Sequence, residues 1–245
     1  MKKILVIGAT SAIAQEVAKL YATEKEELIL WGRNPQMLQI IAQDLKVRGS
    51  SKISVVSHDL NDLSVHASKI EEIWSEHINI DIVFLAHGVL GDPRKAEIDQ
   101  DEMLNILTSN FISHASLLTY IAQKMARQTF GTIAVISSVA GDRGKQSNYV
   151  YGSAKAGMTA FTDGLRNRLY PTGVHVLNIK LGPVDTPMTK DHKKTPLFGK
   201  APAVAKGIVT AIEKKKNTVY LTPIWRLIMF IINNIPETIF KRLKL

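Results

Sequence analysis

The chain contains no cysteine. Disulfides and thiolate metal sites are therefore excluded, and the composition suits a reducing compartment. The seven histidines show no ligand spacing such as His-x-x-x-His, so no metal site is expected. No apolar run reaches the roughly 20 residues that a helix needs to cross a bilayer. No linker rich in Pro, Gly or Ser, no low-complexity tract and no internal repeat divides the chain. Met1-Lys2-Lys3 ahead of Ile4-Leu5-Val6-Ile7 imitates the start of a secretory signal, but the apolar run is too short for one. The net charge of +9 comes without a helix-turn-helix, RNP or zinc-finger pattern, so no nucleic-acid partner is expected.

What is present is enough for one large core: 245 residues, 45% of them hydrophobic. The charge is unevenly placed. Residues 190–245 hold twelve Lys/Arg against Asp191, Glu213 and Glu237, which accounts for the whole net charge and leaves residues 1–189 balanced.

Continuous apolar runs predict strands at Lys3–Ile7, Leu28–Trp31, Ile53–Ser57, Ile82–Ala86, Thr132–Ser137, Val174–Lys180 and Val219–Thr222. Helical spacing predicts helices at Ile13–Thr23, Pro35–Val47, Leu63–Glu76, Asp101–Gln128, Tyr149–Leu169 and Ala201–Lys215. This alternation implies an α/β fold: a single-domain, Rossmann-type, doubly wound parallel sheet with helices on both faces. The domain is expected over residues 1–222, and residues 223–245 form an apolar and basic, amphipathic helical tail. Ligands of such sheets lie beyond the carboxyl ends of the strands. Gly8, Arg33, Asp59, Gly88, Ser138 and Gly182 all fall at or just after those ends.

Tyr151 and Lys155 stand four apart on a predicted helix, so phenol and ammonium share a face. Such pairs also occur as ordinary surface contacts worth a few tenths of a kcal/mol. Facing a cleft, however, the ammonium is expected to lower the phenol pKa and make Tyr151 a proton donor to a carbonyl or an acceptor from an alcohol. Ser138, thirteen residues earlier, can hydrogen-bond the same oxygen.

Assembled in this order, the residues resemble the short-chain dehydrogenase/reductase family over essentially the whole chain. The family's Gly-x-x-x-Gly-x-Gly loop appears as Gly8-Ala9-Thr10-Ser11-Ala12-Ile13-Ala14, with alanine at the second and third glycines. The resemblance implies cofactor contacts from Gly8, Thr10, Ser11, Ala12 and Ile13, and from Asp59-Leu60. The family's Asn-Asn-Ala-Gly appears as Leu85-Ala86-His87-Gly88, with only the glycine kept; the resemblance implies contacts from Ala86 and Gly88, and His87 reads as a loop histidine near the cofactor rather than a catalytic group. Arg33 occupies the place where NAD-specific relatives carry an acidic residue, so NADP (NADPH) is expected over NAD. Gly182-Pro183-Val184-Asp185-Thr186 is similar to the family's Pro-Gly motif in reversed order, and implies contacts from Pro183, Val184 and Thr186. Asn110, Ser138, Tyr151 and Lys155 match the catalytic set, with Tyr151 and Lys155 also touching the cofactor. The implied reaction is direct hydride transfer from NADPH to a carbonyl.

In the tail, Ile224-Trp225-Arg226-Leu227-Ile228-Met229-Phe230-Ile231-Ile232 is followed by Pro236 and a cluster of Lys and Arg. This pattern fits a helix lying in a membrane interface and equally a lid or an oligomer interface. Arg143 and Lys145, between the serine and the tyrosine, are placed to meet a phosphate or other anion. The loop and tail resemble the branch of the family that reduces polyprenyl-phosphate-linked keto-sugars, the decaprenylphosphoryl-2-keto-erythropentose reductases. The expected substrate is therefore a carbonyl compound, small or lipid-linked, met in the cytoplasm or at the cytoplasmic membrane face through residues 224–245. The resemblance also implies a homodimer or homotetramer. Two alternatives stay open: a soluble 3-oxoacyl or hydroxysteroid-type reductase, and a non-catalytic nucleotide-sensing or scaffold protein.

Overall fold

The strands form because their residues are apolar on both faces, which leaves no solvent side to turn outward. In β1 (Lys3–Ile7), Ile4 and Val6 pack into one core layer and Leu5 and Ile7 into the other, all fully buried. Each such side chain contributes about 1.5–3 kcal/mol relative to exposure. In this computed structural model, which describes residues 1–244, α1 (Ala12–Thr23) leads from β1 to β2 (Glu27–Gly32). Then come α2 (Pro35–Val47), β3 (Lys52–Ser57), α3 (His66–His77) and β4 (Ile82–Leu85). Asn34 caps α2 by accepting from the Met37 amide at 2.9 Å, and Pro35 takes the first turn, where no amide is needed.

A short α4 (Pro93–Ala96) and α5 (Gln100–Leu107) precede α6 (Ser113–Gln128), β5 (Thr132–Ser138) and α7 (Tyr149–Leu169). After these follow β6 (His175–Leu181), β7 (Val184–Asp185), β8 (Gly199–Lys200), α8 (Ala201–Glu213) and β9 (Thr218–Leu221). The tail is α9 (Ile224–Asn233) and α10 (Glu237–Phe240), separated at Pro236 as its fixed backbone requires. Among the described residues no helix is long and apolar enough to cross a membrane.

The main sheet has seven parallel strands in the order β3-β2-β1-β4-β5-β6-β9. α1, α2 and α8 cover one face, and α3, α6 and α7 the other. Chain progression reverses between β1 and β4, and the register sets Ile7 opposite Trp31 on one side and Leu85 on the other. The strand ends are therefore level, and a crevice opens beyond them at the reversal point.

Three departures from the sequence reading have physical causes. The helix expected over Asp101–Gln128 is interrupted by a π turn at Thr108–Ile112. Such a one-residue widening keeps helical periodicity on both sides and is invisible to a window that averages over them. The helix expected from Leu63 begins as a 3-10 turn, capped by Asp62, and becomes α-helical at His66. The β7–β8 pair is too short to carry any alternation.

Candidate active site

One cavity of about 520 Å³ lies beyond the strand ends, and every residue expected at the site lines it. Its first wall is the turn after β1. Gly8 has φ +82°, and a Cβ there would lie 2.5 Å from the His87 amide nitrogen, so both conformation and space require glycine. Thr10, Ser11, Ala12 and Ile13 continue this wall into the start of α1. Ser11 precedes the helix in extended conformation without a side-chain cap bond, which leaves the first α1 amides free to meet an anion. Ala14, in place of the family's third glycine, is fully buried in the layer between α1 and the sheet, which accommodates its methyl.

Arg33 stands exposed immediately after β2 and lines the same cavity. Asp59 is exposed after β3, and its carboxylate accepts from the Asn61 amide at 3.0 Å. Leu60 is buried, and its carbonyl accepts from Ser113 and His66. Ala86 and Gly88 follow β4. Gly88 has φ +154°, and a Cβ there would come within 2.5 Å of Asn110 Oδ1.

The chemistry-bearing groups gather around the end of β5. Ser138 is its last residue; its hydroxyl donates to the Leu181 carbonyl at 3.3 Å and accepts from the Ala140 amide at 3.1 Å. Tyr151 and Lys155 project from the first turns of α7. Lys155 is 2% exposed, and its ammonium lies 5.8 Å from the Tyr151 ring centre while donating to the Ile136 carbonyl at 3.3 Å. Burial, partly offset by the Ser138 hydroxyl, pushes Tyr151 up to about 12, and burial alone pulls Lys155 down to about 8. The expected lowering of the phenol pKa by Lys155 is therefore corrected. Helical spacing places the two groups on one face, but loss of solvent around the phenol sets the direction of its shift.

Asn110 sits in the π turn and is fully buried. Its amide donates to the carbonyls of Ile106 and Val89, both at 2.8 Å, which turns Oδ1 toward Gly88 with no hydrogen-bond partner among the described residues. The π turn thus gives mid-helix Asn110 a defined position at the cavity wall.

The sequence reading missed the stack behind that wall. His87 and His114 lie ring on ring at 3.8 Å, with His114 Nε2 donating to the His87 carbonyl at 3.0 Å. Since a carbonyl only accepts, His114 Nε2 carries the proton there. Burial draws His114 down to about 3 and His87 well below its ordinary value, so both rings are neutral and can stack without repulsion.

The far end of the cavity is made by loops and the tail. Lys145, Asn148, Met188, His192, Phe198 and Trp225 line it. Burial lowers the Lys145 pKa, and among the described residues it has no ion-pair partner. Arg143, expected beside an anion, is otherwise engaged. Its guanidinium donates to the carbonyls of Ile232 (2.6 Å) and Ile235 (2.7 Å), pairs with Glu237 at 3.0 Å, and stacks 3.6 Å from the Phe240 ring centre. The carbonyls of the last turn of α9 and of the segment after it converge on this one guanidinium. Beside it, Asp142 is held by Lys180 at 2.5 Å and by the Tyr220 hydroxyl at 2.8 Å. Trp225 donates to the Leu197 carbonyl at 3.2 Å and lies so close to Gly182 that a Cβ there would collide with the indole.

The Gly8 cradle, the free α1 amides and the unpartnered Asn110 Oδ1 together fit a dinucleotide and a reacting group beside it, and define an oxidoreductase. Comparison with known proteins agrees. The family model described as short chain dehydrogenase matches residues 2–197. An uncharacterized oxidoreductase of Mycobacterium tuberculosis is 32% identical over 240 residues, covering 98% of this chain and 96% of that protein. A 3-oxoacyl-acyl-carrier-protein reductase of Chlamydia muridarum is 28% identical over 189 residues, covering 77% of this chain and 76% of the relative. The structure described as ElxO with NADP bound superposes with TM-score 0.80 at 19% identity, covering 89% of this chain and 96% of the other, a likeness of fold. The chain belongs to the short-chain dehydrogenase family and is an NAD(P)-dependent oxidoreductase.

Proposed function

We propose that the protein uses NADPH to reduce a keto group on a large, anionic, lipid-linked substrate such as a keto-sugar carried on a polyprenyl phosphate. The observation that carries this reading is geometric: Ser138 at the end of β5 and Tyr151 and Lys155 on the first turns of α7 line the same cavity as the Gly8 turn. A phenol and a hydroxyl that can reach one carbonyl oxygen supply the proton and the hydrogen bond that carbonyl reduction needs. The nicotinamide, when bound, supplies the hydride.

Ser138 hydrogen-bonds the carbonyl oxygen and Tyr151 delivers the proton to it. Lys155 remains largely charged at pH 7, with a pKa of about 8, and stabilises the phenolate left behind. Asn110 Oδ1 offers an acceptor on the Lys155 side, from which a water can return the proton. Arg33, exposed at the end of β2, is the group we assign to a 2′-phosphate, which selects NADPH. Lys145 is assigned to the substrate anion, and Met188, Phe198 and Trp225 to its apolar part.

A second reading, a 3-oxoacyl reductase, is favoured by the likeness to the Chlamydia muridarum enzyme. A scaffold without turnover is disfavoured by the complete Ser138, Tyr151 and Lys155 set. The test is NADPH oxidation with a polyprenyl-phosphate keto-sugar and with a 3-oxoacyl thioester. Tyr151→Phe is expected to lower turnover on the preferred substrate about a thousandfold while NADPH still binds. Undiminished turnover would reject the mechanism, and preference for the thioester would reject the substrate.

A further inference from the structure

The tail has two faces, and only one is accounted for by the cavity. Trp225 and Met229, the latter 1% exposed, turn inward against the domain. On the other side of α9, Ile224 is 46% exposed, Leu227 57%, Phe230 67% and Ile231 57%, with Ile239 of α10 at 53% beyond them. This is a contiguous stretch of large apolar side chains facing solvent, at the spacing of one helix side.

The face is held firmly. Arg143 gathers the carbonyls at the end of α9, the Glu237 carboxylate and the Phe240 ring, so the exposed residues belong to a docked element rather than a loose end. Its rim is cationic. Arg226, Lys241, Arg242 and Lys244 of the same segment are exposed, while the one side-chain carboxylate of residues 223–245, Glu237, is already paired with Arg143.

That charge pattern chooses between occupants. A second copy of the chain meeting this face through a two-fold axis would set the same cations against each other. An anionic lipid surface offers an apolar interior to Leu227, Phe230 and Ile231 and opposite charge to the rim. We propose that the outer face of α9 and α10 is a docking surface for anionic bilayers, and that it brings the mouth of the cavity, walled by Trp225, to the lipid headgroup level. The proposal concerns the side of the tail away from the reacting groups, and it stands independently of the substrate assigned above.

The test is co-sedimentation of the full chain with vesicles of phosphatidylcholine containing phosphatidylglycerol, and with phosphatidylcholine alone. The protein is expected to pellet with the anionic vesicles, and about tenfold less with neutral ones or at high salt. Leu227→Asp with Phe230→Asp abolishes pelleting, and Lys241→Glu with Arg242→Glu removes the preference for anionic lipid. NADPH binding and circular dichroism of both variants are expected to match the parent chain, since none of these side chains lines the cavity. A parent chain that stays in the supernatant at low salt overturns the proposal, as does a Leu227/Phe230 variant that still pellets. A parent dimer that Leu227→Asp with Phe230→Asp converts to monomer, without any lipid binding, assigns the face to a second copy instead. Reduction of a water-soluble ketone is measured in parallel, so that loss of docking and loss of catalysis are read apart.

Discussion

The two ends of the cleft are built by different means. At the dinucleotide end, each wall residue sits on or just beyond a strand of the parallel sheet, and backbone does much of the shaping: the Gly8 turn, the open amides of α1, the positive φ of Gly88. At the substrate end the walls are loops, the β7–β8 excursion and the tail, tied together by side chains such as Arg143, Asp142 and Trp225. The first end is generic to any dinucleotide-binding sheet. The second can be rebuilt for a new substrate without disturbing the sheet.

Substitutions at the two ends should therefore fail differently. The largest effect is expected from Gly8→Val, which forces a β-branched residue to φ +82° and into the backbone of His87. NADPH affinity, read by fluorescence titration, falls at least about a hundredfold, consistent with 3 kcal/mol or so of strain and collision; near-normal affinity would mean that the turn is not the cradle. Next is Arg33→Asp, expected to shift the ratio of NADPH to NADH kcat/KM by roughly 10- to 100-fold toward NADH. An unchanged ratio removes Arg33 from the cofactor.

Arg143→Ala acts at the other end. It strips charge-assisted hydrogen bonds from the end of α9, each worth about 1.5–3 kcal/mol in favourable settings. The expected result is a Tm lower by a few degrees and a KM raised for bulky ketones, with NADPH affinity nearly constant; a matching loss of NADPH affinity would show that the two ends are not separable. The smallest effect is in pH. As pH rises through about 8, Lys155 loses its proton and with it the charge that steadies the Tyr151 phenolate, so ketone reduction declines above that value and is level just below it. A profile that rises through pH 8 would assign the controlling titration elsewhere.

The same contrast governs what was legible in the sequence. Gly8, Arg33, Asp59, Gly88 and Ser138 could be placed because a parallel strand of apolar residues ends where its pattern ends, and the sheet then lines those ends up. Tyr151 and Lys155 were placed by helical spacing. The sign of the Tyr151 shift was misread because spacing specifies neighbours and says nothing about solvent. Arg143 was misassigned because its partners lie about ninety residues away in the tail, a contact that local pattern does not encode. The His87–His114 stack was hidden for the same reason, and the π turn that seats Asn110 because it leaves helical periodicity intact on both sides. In the tail, α9 presents Trp225 inward to the cavity and Phe230 outward to solvent, an assignment of sides that composition alone does not make.

The contact between Trp225 and Gly182 joins the tail to the wall beside Pro183 and Val184, the positions expected to meet the cofactor. Equilibrium linkage then works in both directions: whatever factor a lipid surface applies to ligand affinity by moving α9, the bound ligand must apply to lipid affinity. If docking moves α9, the fraction of protein found on vesicles reports how much of it holds the bulky ketone that the tail walls in.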